Sequence, residues 1–335
     1  MDQGPRKTAV ALLSVISNTA LTTVKLAVGA LSGSVSILSE AIHSAMDLLA
    51  ALIAFFSVRK SGVPADTRHP FGHGKIENIS GTIEALLIFA AAGWIIYEAV
   101  GRLLKPEPLE NFGWGIAVMM LSAIVNSIVS SLLFKVGRET DSVALEADAW
   151  HLRTDVYTSV GVTLSLLLIW MGERVFKGTH FDWLDPVAAI GVALLIIKAA
   201  YELTVKSIRD LMDVRLPEEE ETWILQLIRG HSPAIHGFHD LRTRKAGGFR
   251  FVEFHMKVDP HMTVEASHQI TEEITARIES QFPGTSVTIH TEPCDGQCGA
   301  KCLEGCLLPV RGDMNSKGDL AHAGRVPTGR DEGSR

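Results

Sequence analysis

The sequence predicts a membrane all-α bundle of six transmembrane helices, followed by a small cytoplasmic α+β domain. Three observations support this fold class. Six apolar stretches of membrane-spanning length lie within residues 1–210. From about residue 211 the pattern changes to that of short amphipathic elements. The mean hydropathy is +0.21 with 47% hydrophobic residues, which is typical of a chain that is part membrane and part polar.

Each of the six apolar stretches is long enough to cross a bilayer as a helix, which takes about 20 residues. Several carry polar residues, which indicates helices that face one another in a bundle. The predicted spans are residues 8–30, 34–58, 78–103, 113–136, 144–171 and 184–206.

Basic residues are distributed unevenly over the connections, and this distribution predicts orientation, because Lys and Arg concentrate on the cytoplasmic side. One set of flanks holds Arg6, Lys7, Arg59, Lys60, Arg68, Lys75, Lys135, Arg138, Lys206 and Arg209. The other set holds only Arg102, Lys105, Arg174 and Lys177. We therefore expect both termini in the cytoplasm.

Residues 211–293 show the order α-β-β-α-β expected of a small α+β domain. Gly247-Gly248 separates two alternating segments, which predicts a β-hairpin. An amphipathic helix follows and ends before Pro283-Gly284, and a last strand precedes Pro293. Residues 294–335 are polar and lack periodicity, so we expect a disordered tail.

The strongest functional signal is a pair of matching motifs in the second and fifth spans. These are His43-x-x-x-Asp47 and His151-x-x-x-Asp155. Residues four apart share one helix face, so each helix offers an imidazole beside a carboxylate. Two nitrogens and two oxygens around one point suit a tetrahedral Zn²⁺ ion. The alternative is a set of structural polar contacts between helices.

Both kinds of side chain in these motifs also bind protons once a metal ion leaves. Competition between metal and protons therefore predicts a site suited to metal–proton exchange. An adjacent cation would also offset the cost of burying a carboxylate within the bilayer.

Two further groups could bind metal outside the spans. The loop after the second span carries Asp66, His69 and His73, which could equally be incidental residues of a solvated loop. In the C-terminal domain, alternation places histidines opposite the predicted core face, where they could meet metal, a partner subunit or only solvent. The candidates there are His239, His255, His268, His290 and Glu292.

The cysteines are confined to one segment and recur every four residues, as Cys294, Cys298, Cys302 and Cys306. Zinc fingers more often use Cys-x-x-Cys, so this spacing is not that of a standard finger. The segment could bind a soft metal ion or remain an unligated, reduced tract.

Four strings together resemble the cation diffusion facilitator family, and in particular its bacterial ferrous-iron/zinc efflux members. They are GSVSILSEAIHSAMD, PADTRHPFGHGKIE, ALEADAWHLRTD and HDLRTR. The resemblance spans residues 8–294. It implies a homodimer in the bacterial inner membrane with a metallochaperone-like cytoplasmic domain. It also implies metal–proton antiport by alternating access.

The same resemblance assigns roles to the candidate residues. It implies a transport site of His43, Asp47, His151 and Asp155, a loop site of Asp66, His69 and His73, and a dinuclear cytoplasmic site of His239, His255, His268, His290 and Glu292. An ion pair between Lys75 and Asp213 would hold the two domains together at the dimer centre.

Two positions depart from the bacterial efflux members that the sequence resembles, which have Asp at the positions of His43 and Glu292. An imidazole in place of an oxygen ligand favours zinc over harder or larger ions. The sequence therefore predicts Zn²⁺ as the main substrate, with Fe²⁺, Co²⁺, Cd²⁺ or Mn²⁺ as alternatives.

Other function classes are less consistent with the sequence. A non-transporting metal sensor or scaffold would not need ligands inside the membrane. An intramembrane metalloenzyme would need an open metal position, and no His-Glu-x-x-His motif is present. The net charge of −7 gives no reason to expect a nucleic-acid partner. The expected partners are a second copy of the chain, divalent metal ions, protons and membrane lipid.

Overall fold

The computed structural model describes residues 4–32, 35–104, 113–175, 183–296 and 300–308. Six long helices form the first part of the chain: α1 Gly4–Ser32, α2 Val35–Ser61, α3 Lys75–Leu104, α4 Gly113–Glu139, α5 Val143–Val175 and α6 Leu184–Leu211. The second part contains α7 Glu218–Arg229, β1 Gly237–Ala246, β2 Phe249–Val258, α8 Val264–Gln281, β3 Thr285–Pro293 and α9 Ala300–Glu304.

Among the described residues, five of the long helices are long and apolar enough to cross a membrane. They are α1, α2, α3, α4 and α6. The remaining long helix, α5, carries Glu146, Asp148 and Asp155 in its first half. It packs against α2, α3, α4 and α6, so its polar side chains lie inside the bundle. The predicted helical membrane bundle is thereby confirmed.

Small side chains allow the helices to approach closely. Ala50, Ala51 and Ala54 on α2 are fully buried, as are Ala147 and Ala149 on α5. Close backbone approach through small residues is the usual mode of association of membrane helices, because lipid supplies no hydrophobic drive between them. α2 and α5 contact each other, as the predicted transport site requires.

The C-terminal domain has a three-stranded sheet in the order β1-β2-β3. β1 and β2 form an antiparallel hairpin, and β3 pairs in parallel with β2 after the α8 crossover. Val252, Phe254 and Met256 of β2 form the core with apolar side chains of α7 and α8. The helices therefore cover one sheet face and leave the other to the histidines. This is the α-β-β-α-β domain predicted from the sequence.

Residues 300–308 differ from the predicted disordered tail because they fold against the free edge of β1. Phe238 N donates to Gly305 O at 3.1 Å, and Leu307 N donates to His236 O at 2.9 Å. A Cβ atom at Gly305 would lie 1.8 Å from Phe238 O, so only glycine allows this approach. The rest of the tail, from residue 309, lies outside the described residues.

The tip of the β1–β2 hairpin docks on the helix bundle. Gly247 N donates a hydrogen bond of 2.7 Å to Asn78 Oδ1 on α3. The turn between α4 and α5 contributes Asp141, whose carboxylate lies 3.1 Å from Lys245 Nζ and 2.6 Å from Arg250 Nη2. The two domains therefore share a polar, hydrogen-bonded junction.

Beside this junction, the buried carboxylate of Glu77 ties four elements of the bundle together. Its Oε1 accepts from Lys7 of α1 at 3.2 Å and from Ser61 of α2 at 2.6 Å. Its Oε2 accepts from Ser142, immediately before α5. Because Glu77 is fully buried, these partners supply the hydrogen bonds that water would otherwise supply.

Candidate metal centres

The structure brings the two His-x-x-x-Asp motifs together between α2 and α5. His151 Nε2 lies 3.1 Å from Asp47 Oδ1, and His43 Nε2 lies 3.8 Å from Asp155 Oδ1. Each pair joins one residue of α2 to one of α5. The i, i+4 spacing aligns the two side chains of each helix, and helix packing makes the two faces meet.

The spacing of these donors suits a single small cation. Ligand atoms of His43, Asp47 and Asp155 all lie within 4.8 Å of one another, and His151 contacts Asp47 directly. Zinc–ligand distances of about 2.0–2.2 Å require donors roughly 3.3 Å apart in a tetrahedron, so small side-chain movements would close the set. The donor chemistry and the geometry therefore both fit a divalent metal as substrate.

Burial within this quartet is uneven. Asp47 and His151 are buried, whereas the His43 side chain is 53% exposed. The buried pair is held by the bundle interior, and the His43 side opens toward the bundle surface.

Asn126 of α4 supports the quartet from a third helix. Its Nδ2 donates to Asp155 Oδ2 at 3.3 Å. The other oxygen of Asp155 faces His43, so Asn126 holds the carboxylate while leaving a donor atom for the ion. Hydrogen-bonded partners of this kind orient metal ligands in many proteins.

Two buried carboxylates near the quartet were not among the predicted site residues. Glu84 of α3 accepts a hydrogen bond from Ser80 at 3.0 Å, and Asp148 lies one turn before His151 on α5. Within the described part of the chain, Glu84 Oε2 lacks a hydrogen-bond partner, and Asp148 is fully buried. The sequence signal was a charged residue inside an apolar span, which by itself does not show where the side chain points.

The loop residues Asp66, His69 and His73 form a second cluster, with donor atoms within 4.8 Å of one another. His69 Nδ1 lies 3.2 Å from Asp66 Oδ1, and His73 Nε2 lies 3.5 Å from Asp66 Oδ2. Gly72 adopts φ +80° and makes the turn that brings His73 back. The backbone amide of His69 donates to Asp66 and lowers the pKa of this exposed carboxyl, so it is ionised and ready to bind a cation.

Strand register aligns three histidines of the C-terminal domain across the exposed sheet face. His239 pairs with His255, and His255 pairs with His290. Glu292 contacts all three: His255 Nδ1 is 2.9 Å from Oε1, His239 Nε2 is 3.6 Å from Oε2, and His290 Nε2 is 3.8 Å from Oε1. Four of the five predicted residues of this site are thus brought together.

The remaining residue, His268, lies apart. It is exposed on α8, on the helical layer of the domain, and its Nε2 is 3.6 Å from Glu272 Oε1. Asp240, which the sequence analysis missed, groups instead with His239 and His255 within 4.8 Å. The strand register shifts between His239 and Arg242, and Asp240 has φ +51°. This irregularity breaks the simple alternation on which the sequence analysis relied.

Lys75 and Asp213 meet at the domain junction. Lys75 Nζ lies 2.9 Å from Asp213 Oδ1, and Arg244 Nη1 lies 3.4 Å from the same oxygen. Slight burial raises the pKa of the Asp213 carboxyl, but the hydrogen bond and charge of Lys75 outweigh it, so the pKa is lowered. The pair is present, and its role in holding a dimer together stays a prediction.

The cysteine segment is only partly visible. Cys294, Cys302 and Cys306 are free thiols of intermediate burial, and Cys298 lies outside the described residues. No group of three potential metal ligands within the described residues includes one of these cysteines. A metal site formed by the tail cysteines therefore stays a prediction.

Comparison with known proteins identifies the family. The family model described as the cation efflux transmembrane domain matches residues 11–212, and that of the cation efflux protein cytoplasmic domain matches residues 216–294. The chain belongs to the cation diffusion facilitator family. It is therefore a multi-pass membrane protein and a cation efflux transporter, as the resemblance predicted.

Several individual proteins are similar to this chain. The uncharacterized transporter sll1263 of Synechocystis sp. is 38% identical over 85% of this chain and 90% of that protein. The cation-efflux pump FieF of Salmonella arizonae is 32% identical over 78% of this chain and 85% of that protein. A solved structure of the transporter CzrB in its Zn form is 37% identical, covers 25% of this chain and 96% of its own, and has a TM-score of 0.23.

Proposed function

We propose that the protein exports divalent cations, with Zn²⁺ as main substrate, from the cytoplasm in exchange for protons. The observation that carries this proposal is the convergence of His43, Asp47, His151 and Asp155 between α2 and α5. Two imidazoles and two carboxylates favour zinc, because harder ions such as Mn²⁺ prefer all-oxygen sites.

Proton coupling follows from the chemistry of the same four side chains. Each must be deprotonated to bind the ion, so binding releases protons and protonation releases the ion. A site that is alternately open to the two sides of the membrane would thus exchange metal ions for protons. The polar residues inside α5 support this proposal, since ionisable groups within membrane helices usually mark ion pathways.

The proposal includes a homodimer in the bacterial inner membrane with cytoplasmic termini. Residues 1–210 would form the transmembrane domain, 211–293 the metal-binding and dimerisation domain, and 294–335 the cysteine-containing tail. His268 lies on the helical layer, apart from the sheet-face cluster. In the proposed homodimer it would therefore join a metal site only together with residues of the second subunit. The loop and cytoplasmic clusters would bind Zn²⁺ as regulatory ions and bias the transporter's conformations.

The decisive test is zinc flux into liposomes containing the purified protein, under an imposed pH gradient. We expect flux that follows the gradient and is lost in Asp155→Asn, which keeps the size of the side chain but removes its charge. Glu98→Gln is the matched control, because Glu98 is a half-exposed carboxylate on α3 that pairs with Arg102. Its flux should equal that of the unmodified protein.

Other outcomes would select among the alternatives. Flux of Fe²⁺, Co²⁺, Cd²⁺ or Mn²⁺ in preference to Zn²⁺ would change the substrate but keep the mechanism. Zinc binding without flux of any of these ions would contradict transport and favour a membrane metal sensor. Zinc flux that ignores the pH gradient would contradict proton antiport.

A further inference from the structure

A positively charged side chain, that of Lys257, lies within the histidine cluster of the C-terminal domain. Lys257 Nζ lies 3.1 Å from Glu292 Oε2, and His239 Nε2 lies 3.6 Å from the same oxygen. Lys257 follows His255 by two residues on β2, so both side chains lie on the sheet face opposite the core. Its side chain is only 15% exposed, and its ammonium lies on Glu292.

An ammonium at this position would compete with a metal ion for the carboxylate of Glu292. Glu292 is the only carboxylate that contacts all three aligned histidines among the described residues. A divalent ion bound to Glu292 Oε2 must either displace Lys257 or accept a like charge at close range. Both alternatives weaken metal binding, the first through a lost ion pair and the second through Coulomb repulsion.

We propose that Lys257 is a tethered competitor for Glu292 and sets the metal affinity of the cytoplasmic cluster. The inference rests on the proposed binding of metal by this domain. It gives the cluster a threshold: metal binds only when its concentration is high enough to displace the ammonium. A regulatory site needs such a threshold if it is to respond to excess metal and not to basal levels.

The structure also provides a place for the displaced ammonium. Cys294 N donates to Val258 O at 2.8 Å, which places the neighbouring Asp295 beside the end of β2 that carries Lys257. When a metal ion takes Glu292, the Lys257 ammonium would move toward the carboxylate of Asp295 and so keep an anionic partner.

The competition should also affect metal choice. When Lys257 neutralises Glu292, the donors left to a metal ion are mainly imidazole nitrogens, with Asp240 as the remaining carboxylate. Zinc binds imidazole well, whereas Mn²⁺ depends more on carboxylate oxygens. Lys257 should therefore weaken the binding of Mn²⁺ more than that of Zn²⁺.

The test measures metal affinity in the full chain, purified in detergent, by equilibrium competition with a chelator. Asp66→Asn and Asp155→Asn are introduced throughout to impair the loop and transmembrane clusters. In this background Lys257→Met should tighten zinc binding about tenfold, which corresponds to about 1.4 kcal/mol, and Mn²⁺ binding by more. Lys257→Arg keeps the charge and should bind zinc as the parent does. Arg277→Met removes an exposed charge on α8 and serves as the control.

Two outcomes separate this inference from the proposed function. If His255→Ala leaves zinc binding unchanged, the cluster is not a metal site, and both the site and the role of Lys257 are overturned. If His255→Ala abolishes binding but Lys257→Met does not tighten it, only the competitor role is overturned. Lys257→Gln repeats the measurement without an apolar side chain, and the unfolding temperature shows that each variant is folded.

Discussion

The backbone amide of Gly247 donates a 2.7 Å hydrogen bond to Oδ1 of Asn78, across the boundary between the C-terminal domain and the helix bundle. The Nδ2 of the same Asn78 donates to Asp210 Oδ2 near the end of α6. One buried side chain thus joins α3, α6 and the β1–β2 hairpin. Any change in the C-terminal domain that moves the hairpin must act on these two helices.

Replacing Gly247 by alanine should undock the hairpin. Gly247 has φ +58°, and an added Cβ would lie 2.6 Å from Gly74 O, so both backbone strain and a clash oppose the substitution. We expect Gly247→Ala to lower the unfolding temperature and to increase proteolysis at the domain junction. The strain alone costs about 1–2 kcal/mol. Gly101→Ala is the control, since no atom lies within 4 Å of its added Cβ; equal effects of the two substitutions would contradict the docking role.

Glu77 should be among the most sensitive residues of the bundle. Removing it leaves the largely buried ammonium of Lys7 unpaired and the Ser142 hydroxyl without its acceptor, and it removes one of the two acceptors of the Ser61 hydroxyl. We expect Glu77→Ala to cost about 3–5 kcal/mol of unfolding free energy. Adding Lys7→Met should recover part of this loss, because no unpaired ammonium then remains. A double-mutant cycle measured by denaturant unfolding in detergent tests the coupling, and strict additivity would argue against it.

Asn126 should tune the transport site without being a ligand. Asn126→Ala removes the hydrogen bond that holds Asp155 Oδ2, so the carboxylate loses its orientation. Loss of such a supporting partner typically lowers metal affinity 10–100-fold. Zinc titration of the purified protein checks this, with Ser131→Ala, at an exposed position of α4, as the control. An unchanged affinity would show that Asp155 is held by other contacts.

Docking of the β1–β2 hairpin on the helix bundle should weaken at low pH, when the carboxylate of Asp141 becomes protonated. Burial raises the pKa of its carboxyl, but Lys245 and Arg250 lower it by more, so the folded-state pKa lies below the usual value. A depressed carboxyl pKa stabilises the folded state above the unfolded value of about 3.9, and this contribution is lost as pH falls through the folded value.

Hydrogen exchange of residues 245–250, followed below about pH 5, measures this dependence. Protection of the hairpin should fall with pH in the parent protein. In Asp141→Asn, protection should already be lower at neutral pH and should change less over the acidic range. Identical profiles for the two proteins would place the acid sensitivity elsewhere, for example at Glu220, which also pairs with Arg250.

Local spacing predicted much of this molecule. Apolar length identified the long helices of the bundle, including α5, whose first half carries Glu146, Asp148 and Asp155. Gly247-Gly248 correctly marked the hairpin, because Gly247 adopts a positive φ that other residues rarely adopt. The i, i+4 spacing of His43 with Asp47, and of His151 with Asp155, placed each pair on one helix face.

Features that depend on contacts between distant segments were not predictable. The register shift after His239 brings Asp240 into the cytoplasmic cluster, and alternation along the strand gives no sign of it. Likewise, residues 305–307 have the composition of a disordered tail, yet Gly305 fits against Phe238 on the sheet edge. The position of Lys257 on Glu292 depends on the pairing of β2 with β3.

The sequence by itself determined the order of elements, the family and the residue types available to bind metal, because these follow from periodicity and short spacings along one chain. Only the tertiary structure decided which of those residues meet. His151 reaches Asp47 because α2 and α5 pack closely, and His268 stays apart because the sheet separates it from the other histidines. His151 and Asp47 are 104 residues apart, and the periodicity within one helix carries no information about contacts between helices.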